Sequence, residues 1–129
     1  MNPDLAVIFL AFALIEGKHF VFDFAIRESS SEFKAIYFNL HRFIHAFTHG
    51  LGSIPALVLL TNSAVLIGIT LTAEIIAHYH FDWLKARITA RRGLNYSDRL
   101  YWILFGGDQL AHQLTYVIML AFVASAASS

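Results

Sequence analysis

The sequence of 129 residues contains no cysteine, which excludes disulfides, thiolate zinc sites and cysteine nucleophiles. Charged residues are also few, at 14%, where soluble domains usually carry about 25%. The net charge is zero with histidine neutral, and no long basic run with interleaved aromatics occurs. Nucleic acid is therefore not an expected partner. The length suits a single domain, and no internal repeat or linker divides it.

Lys and Arg are missing from the first seventeen residues, although this stretch is strongly apolar. A signal peptide would begin with basic residues and end at a small-residue cleavage site. Here the stretch contains Asp4 and continues directly into Glu16, Lys18 and His19. We therefore expect a retained helix.

Apolar side chains are abundant, at 57% of residues, and twelve of them are Phe. A helix needs about 20 mainly apolar residues to cross a bilayer. On that measure we predict an all-α fold, a four-helix transmembrane bundle that forms one membrane-embedded domain over residues 1–129. The helices are predicted at about 3–26, 33–49, 54–85 and 98–124.

Two of these boundaries depend on glycine and proline. Gly50 and Gly52 are expected to end the second helix, since glycine is favoured just past a helix C-terminus. Pro55 is expected in the first turn of the third helix, where its missing N–H has no partner to lose. Residues 125–129 are small and polar, and we predict that they form a tail beyond the fourth helix.

Four helices place both termini on one side of the membrane. The termini and the predicted turn at Gly50 carry no Lys or Arg, whereas the two loops on the other side are basic. By the positive-inside rule those loops are cytoplasmic and the termini external. We expect a multi-pass protein of the bacterial inner membrane, in contact with lipid. The basic residues that support this topology are Arg27, Lys34, Lys85, Arg87, Arg91, Arg92 and Arg99.

Histidines and acids recur at a spacing of four residues, which places them on one face of a helix. Every predicted helix therefore carries a histidine with another histidine or an acid one turn away. Such a pair can chelate one metal ion or bracket two. The stripes are, in chain order, Glu16, His19 and Asp23; His41, His45 and His49; Glu74, His78 and Asp82; and Asp108 and His112.

These stripes also fall at similar depths. At 1.5 Å per residue, His19 and Asp23 lie within about 11 Å of the cytoplasmic end of the first helix, and His78 is about as close to the end of the third. The stripes of the second and fourth helices lie roughly 10–20 Å inside. We expect all four to meet in one pocket in the cytoplasmic half of the bundle.

Ionisable side chains at membrane depth are costly, and they usually face the bundle interior as functional groups. Nitrogen and oxygen ligands without sulfur suit Zn, Fe or Mn. Eight candidate ligands exceed the needs of one tetrahedral zinc, so we predict one or two divalent ions. Glu74 and Glu16, one turn from the inner stripes, are candidates for a catalytic base or a supporting partner. The candidate ligands are His19, Asp23, His45, His49, His78, Asp82, Asp108 and His112.

Simpler interpretations exist for the same residues. The His–Asp pairs are also consistent with structural hydrogen bonds between helices. His80 lies off the stripe and is expected at the interface or in a hydrogen bond, and His41 is expected near lipid headgroups. The cations from Lys85 to Arg92 are expected to mark topology and contact anionic lipid.

The spaced motifs carry a family resemblance. Over nearly the whole chain, the sequence resembles a family of small bacterial and phage membrane proteins known as a domain of unknown function. More distantly, its middle motifs resemble inner-membrane metal-dependent hydrolases described as LexA-binding. The resemblance implies a metalloprotein. The matching motifs are His19-Phe-Val-Phe-Asp23, His41-Arg-Phe-Ile-His45-Ala-Phe-Thr-His49, His78-Tyr-His-Phe-Asp82 and Asp108-Gln-Leu-Ala-His112.

The leading functional hypothesis is a membrane-embedded metal-dependent hydrolase acting on a lipid-linked or phosphoester substrate. A redox protein is an alternative, because four-helix bundles host haem, pigment and di-iron sites. The nearby carboxylates argue against haem, which uses axial histidines. A third class is an accessory subunit or a metal or proton carrier, either as a homo-oligomer or within a larger membrane complex.

Overall fold

The computed structural model describes residues 4–25 and 35–128. In these ranges the chain forms four α-helices and no strand, which confirms the all-α prediction. A π-helix over Val21–Ala25 continues the first helix. The α-helices are α1 (Leu5–Phe20), α2 (Leu40–Val58), α3 (Ala64–Arg91) and α4 (Arg99–Ser128).

Part of the predicted second helix is not helical. Residues 35–39 form turns and bends, so the prediction of helix from residue 33 is wrong over this range. α2 begins at Leu40, because the Asn39 side chain accepts a hydrogen bond from the backbone N–H of Arg42 at 3.1 Å and caps the helix. Other predictions lie outside the described residues: the helix ends at Pro3, Ile26 and Phe33, and the basic loop residues Arg27 and Lys34.

Successive helices run antiparallel and lie side by side, and α1 also packs on α4. An apolar core fills one end of the bundle. It joins Ala11 and Ile15 of α1 to Leu57 near the end of α2, Leu60 just beyond it, and Val123 of α4. Both described chain ends and the α2–α3 connection therefore lie at this apolar end.

The exterior of the bundle is apolar and the interior of its other half is polar. Phe9, Val65 and Ile118 are each more than 60% exposed, whereas Glu74 and His78 are 1% exposed. This pattern is expected of helices that face lipid. By length and composition, three helical stretches of the described chain can cross a membrane: Leu5–Ala25, Ala64–Arg91 and Arg99–Ala127.

The predicted turn at Gly50 and Gly52 is wrong, because α2 continues through both glycines to Val58. A Cβ atom on Gly50 would lie 2.6 Å from Cγ1 of Ile75 in α3. A Cβ atom on Gly52 would lie 2.7 Å from Cε2 of Phe22 in the π-helix. The glycines therefore allow α2 to approach a neighbour on each side, a common role of small residues between membrane helices.

Three further boundaries differ from the prediction. Pro55 lies inside α2, where it removes one backbone hydrogen bond without ending the helix. α3 extends beyond residue 85 to Arg91 and ends before Gly93, whose φ of 60° favours glycine. α4 includes the predicted tail as far as Ser128, since the alanines there are strong helix formers.

Replacing Gly50 with valine tests the close approach of α2 and α3. We expect Gly50→Val to destabilise the bundle by about 1–3 kcal/mol, because the added side chain overlaps Ile75. Gly68→Val is the matched control, since it adds the same side chain within a helix and no atom lies within 4 Å of its Cβ position. The measurement is the thermal unfolding midpoint in detergent. Equal midpoints for the two variants would contradict the packing role of Gly50.

Candidate metal centre

The π-helix at the end of α1 directs a carboxylate into the bundle. Asp23 lies in the middle of Val21–Ala25 and is 3% exposed. Its Oδ1 atom lies 3.0 Å from Nε2 of His45 and 3.1 Å from Nε2 of His49, both on α2. Single π-helical turns occur frequently at functional sites, and this one brings an acid against two imidazoles.

Imidazole rings from all four helices pack against one another. The centroid of His78 on α3 lies 4.0 Å from that of His49 and 4.2 Å from that of His112 on α4. His45 lies 4.6 Å from His49, and His19 on α1 lies 5.2 Å from His112. The four stripes therefore meet in one cluster, as their spacing and depth predict.

Two overlapping groups of side chains within the described ranges can hold a metal ion. The first group contains Asp23, His45, His49 and His78, and the second contains His78, Asp82 and His112. In each group one ligand atom per residue lies within 4.8 Å of all the others. Ligand atoms around a tetrahedral zinc lie about 3.3 Å apart, so binding would draw each group inward. His78 belongs to both groups.

Unpaired nitrogen atoms show that this cluster suits a cation. Among the described residues, both ring nitrogens of His78 are buried without a hydrogen-bond partner, as are Nδ1 of His49 and Nε2 of His112, while Nε2 of His49 faces the Asp23 carboxylate at 3.1 Å. These three side chains are 1% exposed or less. A buried polar atom without a partner costs about 1–3 kcal/mol. In each neutral ring one nitrogen carries the proton and the other has a lone pair that a metal ion would accept, so the donor set is compatible with metal binding.

A hydrogen bond prepares His112 for this role. Its Nδ1 atom lies 2.8 Å from the backbone carbonyl oxygen of Asp108. Because a carbonyl oxygen can only accept, Nδ1 carries the proton, and the neutral ring presents its lone pair at Nε2. Metal-binding histidines are commonly oriented by such a bond from the other ring nitrogen.

His19, predicted as a ligand, lies beside the two groups and outside both of them. Its Nδ1 atom lies 2.9 Å from the hydroxyl of Tyr116, and its Nε2 atom lies 3.0 Å from Oε1 of Gln109. Since the amide oxygen accepts, Nε2 donates and Nδ1 accepts from the tyrosine. Both ring nitrogens are thus occupied by neighbours on α4, and His19 supports the cluster from the side.

Gln109 connects this support to the first group. Its Nε2 atom donates to Oδ2 of Asp23 at 3.3 Å, which leaves Oδ1 of the same carboxylate facing the imidazoles. Neither Gln109 nor Tyr116 is among the site residues predicted from the sequence. Tyr116 continues the spacing of four that links Asp108 to His112, and this spacing could have revealed it.

Glu74, predicted as a catalytic residue, is paired with a buried lysine. The ammonium group of Lys18 forms an ion pair with Oε1 of Glu74. It also donates to the Oγ atom of Ser53 at 2.9 Å and to the backbone oxygen of His49 at 2.8 Å. A lysine inside a predicted span is itself a sign of a functional or structural pair, yet Lys18 is not among the site residues predicted from the sequence.

Asp108, also predicted as a ligand, lies outside both groups. Its Oδ2 atom forms an ion pair with Lys85 of α3. The Lys85 ammonium group also lies 3.5 Å from Oδ1 of Asp82. Lys85, interpreted from sequence as a topology signal, therefore reaches back into the edge of the cluster.

The remaining candidates lie away from the cluster centre. Glu16, the second predicted catalytic residue, is outside both groups, and its Oε1 atom is buried without a described hydrogen-bond partner. His41 is exposed at the start of α2. His80 is hydrogen-bonded as expected, because its Nε2 lies 3.0 Å from the hydroxyl of Tyr37 and its Nδ1 lies 2.7 Å from the oxygen of Ile76.

The fold and the site together define a class: an all-α bundle of the membrane type with a buried His/Asp cluster compatible with metal binding. Comparison with known proteins does not narrow this class. No family model, no curated protein and no solved structure matches the chain. The assignment of function therefore depends on the geometry of the cluster.

Removing the support for Asp23 tests whether Gln109 orients a ligand. We expect Gln109→Ala to weaken metal binding by roughly 10–100-fold, as loss of a residue that orients a ligand typically does. Gln113→Ala on the exposed face of the same helix is the matched control. Affinity is measured by competition with a chromophoric chelator. If both variants bind metal as the wild type does, Gln109 has no such role.

Proposed function

We propose that this chain is a membrane-embedded metalloprotein that binds two divalent ions, Zn, Fe or Mn, and hydrolyses a lipid-linked or other phosphoester substrate. Asp23, His45, His49 and His78 hold one ion. The second ion would be held by Asp82 and His112 together with the other ring nitrogen of His78, which must release its N–H proton to water to serve both ions. A metal ion with an open coordination position supplies a nucleophilic water near neutral pH and polarises a phosphoryl group.

One observation carries the proposal: both ring nitrogens of His78, Nδ1 of His49 and Nε2 of His112 are buried without a hydrogen-bond partner in the described chain, yet these rings converge beside two carboxylates. If these imidazoles served only to connect helices, their nitrogens would be hydrogen-bonded, as those of His19 and His80 are. Buried polar groups are normally paired. A bound cation would give these unpaired ring nitrogens the partner that they lack.

The charge of the two groups favours an anionic substrate. Each group contains a single carboxylate, Asp23 in the first and Asp82 in the second. The other carboxylates at the cluster, Glu74 and Asp108, are already neutralised by lysines. A divalent ion in either group would therefore leave an excess of positive charge, which a phosphoester would balance.

Access from one end favours an enzyme over a carrier. The apolar core around Ile15, Leu57 and Val123 closes the other end of the bundle with side chains that are fully buried. The most exposed members of the two groups are His45 and Asp82, whose side chains are 29% and 17% exposed. Towards the apolar end, the buried side chains of the described residues are apolar apart from the hydroxyls of Thr61 and Thr70, so few polar groups would carry an ion or substrate onward.

Haem is a poorer fit than metal ions. Two axial histidines must lie on opposite faces of a porphyrin, whereas the ring of His78 contacts those of His49 and His112 directly at the centre of the cluster. The resemblance to small bacterial and phage membrane proteins, and to the LexA-binding hydrolases, stays a prediction. It agrees with the proposal and does not supply a substrate.

Loss of the shared ligand tests the metal centre directly. We expect purified wild-type protein to contain up to two equivalents of metal and His78→Ala to contain nearly none, because His78 belongs to both groups. The same variant should lose hydrolysis of phosphatidic acid in nanodiscs. His80→Ala, a hydrogen-bonded histidine two residues away, is the matched control and should keep its metal.

Elemental analysis and an optical spectrum provide the measurements. Full metal occupancy in His78→Ala would overturn the metal centre, and a Soret band in the wild type would replace it with haem. Metal without hydrolysis of phosphatidic acid or of a soluble phosphomonoester would leave the metal centre in place and reject the hydrolase.

The proposal places the cluster in the cytoplasmic half of an inner-membrane protein. Because the chain has no cysteine, a single introduced thiol reports the side of the membrane on which it lies. We expect Ser97→Cys, in the basic α3–α4 connection, to react with an impermeant maleimide only in inside-out vesicles. Asn62→Cys, exposed in the α2–α3 connection, should react in intact spheroplasts. The reverse pattern would place the cluster on the external side.

A further inference from the structure

The side chains of two lysines lie in the polar half of the bundle, and only one of them contacts a residue of a metal group. Lys18 pairs with Glu74, which belongs to neither group. Lys85 pairs with Asp108, also outside both groups, but it lies close to Asp82 of the second group as well. The second group therefore contains a carboxylate that a resident cation already contacts.

The two oxygens of Asp82 face different partners. Oδ1 lies 3.5 Å from Nζ of Lys85. Oδ2 lies 3.5 Å from Nε2 of His78 and 3.6 Å from Nε2 of His45. A metal ion bound through Oδ2 would thus lie near an ammonium group held on the same carboxylate. Like charges repel, and the repulsion is stronger in a low-dielectric interior than in water.

The first group has the stronger set of donors. It offers four ligand residues, whereas the second offers three. Its carboxylate, Asp23, has a side chain only 4% exposed and is oriented by Gln109. The Asp82 side chain is 17% exposed. Ligand number, burial and orientation therefore all favour tighter metal binding in the first group, as the charge of Lys85 beside the second group does.

We propose that Lys85 makes the two metal positions unequal, so that the first group holds its ion tightly and the second is a weaker, exchangeable position. This inference rests on the proposed metal centre. Beyond that centre, the inference specifies the order in which the two ions bind and names the residue that weakens the second position. Lys85 acts through Asp82 and is a positioning residue in this scheme.

Replacing Lys85 with methionine removes the charge and keeps much of the side-chain length. A Zn²⁺ titration of metal-free, detergent-purified protein against a chromophoric chelator should give two binding constants in the wild type, at least about tenfold apart. In Lys85→Met the weaker constant should tighten by about tenfold or more. The tighter constant should change by less than about twofold.

Two variants separate charge from other effects. Lys85→Arg keeps the positive charge and should retain the weak constant. Arg87→Met is the matched control, because it removes a basic residue of the same helix that stacks on Trp83, with Cζ 5.2 Å from the ring centroid. It should leave both constants unchanged. Tightening of the weak site in either variant equal to that in Lys85→Met would overturn the inference.

If Lys85→Met does not fold, a variant that is expected to weaken the second position, rather than to tighten it, still tests the inference. Asp108→Asn removes the ion-pair partner of Lys85 and leaves its charge to Asp82. The weaker constant should then weaken by severalfold. Two equal binding constants in the wild type would reject the proposed role of Lys85 but not the metal centre. A weaker constant that is unchanged in both Lys85→Met and Asp108→Asn would have the same meaning. Absence of zinc binding in the wild type would reject the metal centre itself.

Discussion

The requirement that every ionisable group removed from water must find a partner governs this structure. Two carboxylates, Glu74 and Asp108, meet the requirement through Lys18 and Lys85. Asp23 and Asp82 face imidazoles, which are neutral unless protonated, and Asp82 also lies 3.5 Å from the Lys85 ammonium group. Because the exterior of the bundle is apolar, these groups can be partnered only in the interior. This requirement favours helix orientations that turn the ionisable face inward, and it leaves the two carboxylates beside the histidines in positions compatible with a metal ion.

Close helix packing makes the arrangement of the cluster attainable. α2 must bring His49 to within 3.1 Å of Asp23 in the π-helix while its ring contacts that of His78 on α3. Both approaches require small residues at the points of contact, and Gly50 and Gly52 provide them. The same two glycines suggested a turn from sequence alone. Their role depends on the neighbouring helices, and a local pattern contains no information about those neighbours.

The sequence predicted the parts of the site that depend on helical spacing. His78 and Asp82, one turn apart, fall in one group because a spacing of four residues places them on the same face. Spacing did not predict the roles of His19 and Lys85. His19 continues the stripe of Asp23, yet Tyr116 and Gln109 occupy its nitrogens. Such outcomes depend on the rotation of one helix against another and on which long side chain reaches across, and both are set by tertiary packing.

The division of the bundle into an apolar end and a polar half limits how the cluster can work. Fully buried side chains such as Ile15 and Leu57 fill the apolar end, where Thr61 and Thr70 supply the buried polar side chains of the described residues. Beyond it, Lys18 and Glu74 form a neutral pair beside His49, followed by the imidazoles and then by the partly exposed His45 and Asp82. Polarity and exposure thus increase in one direction along the bundle. This gradient supports the proposed enzyme over a transmembrane carrier, because a carrier would need polar groups that continue to the other end of the bundle.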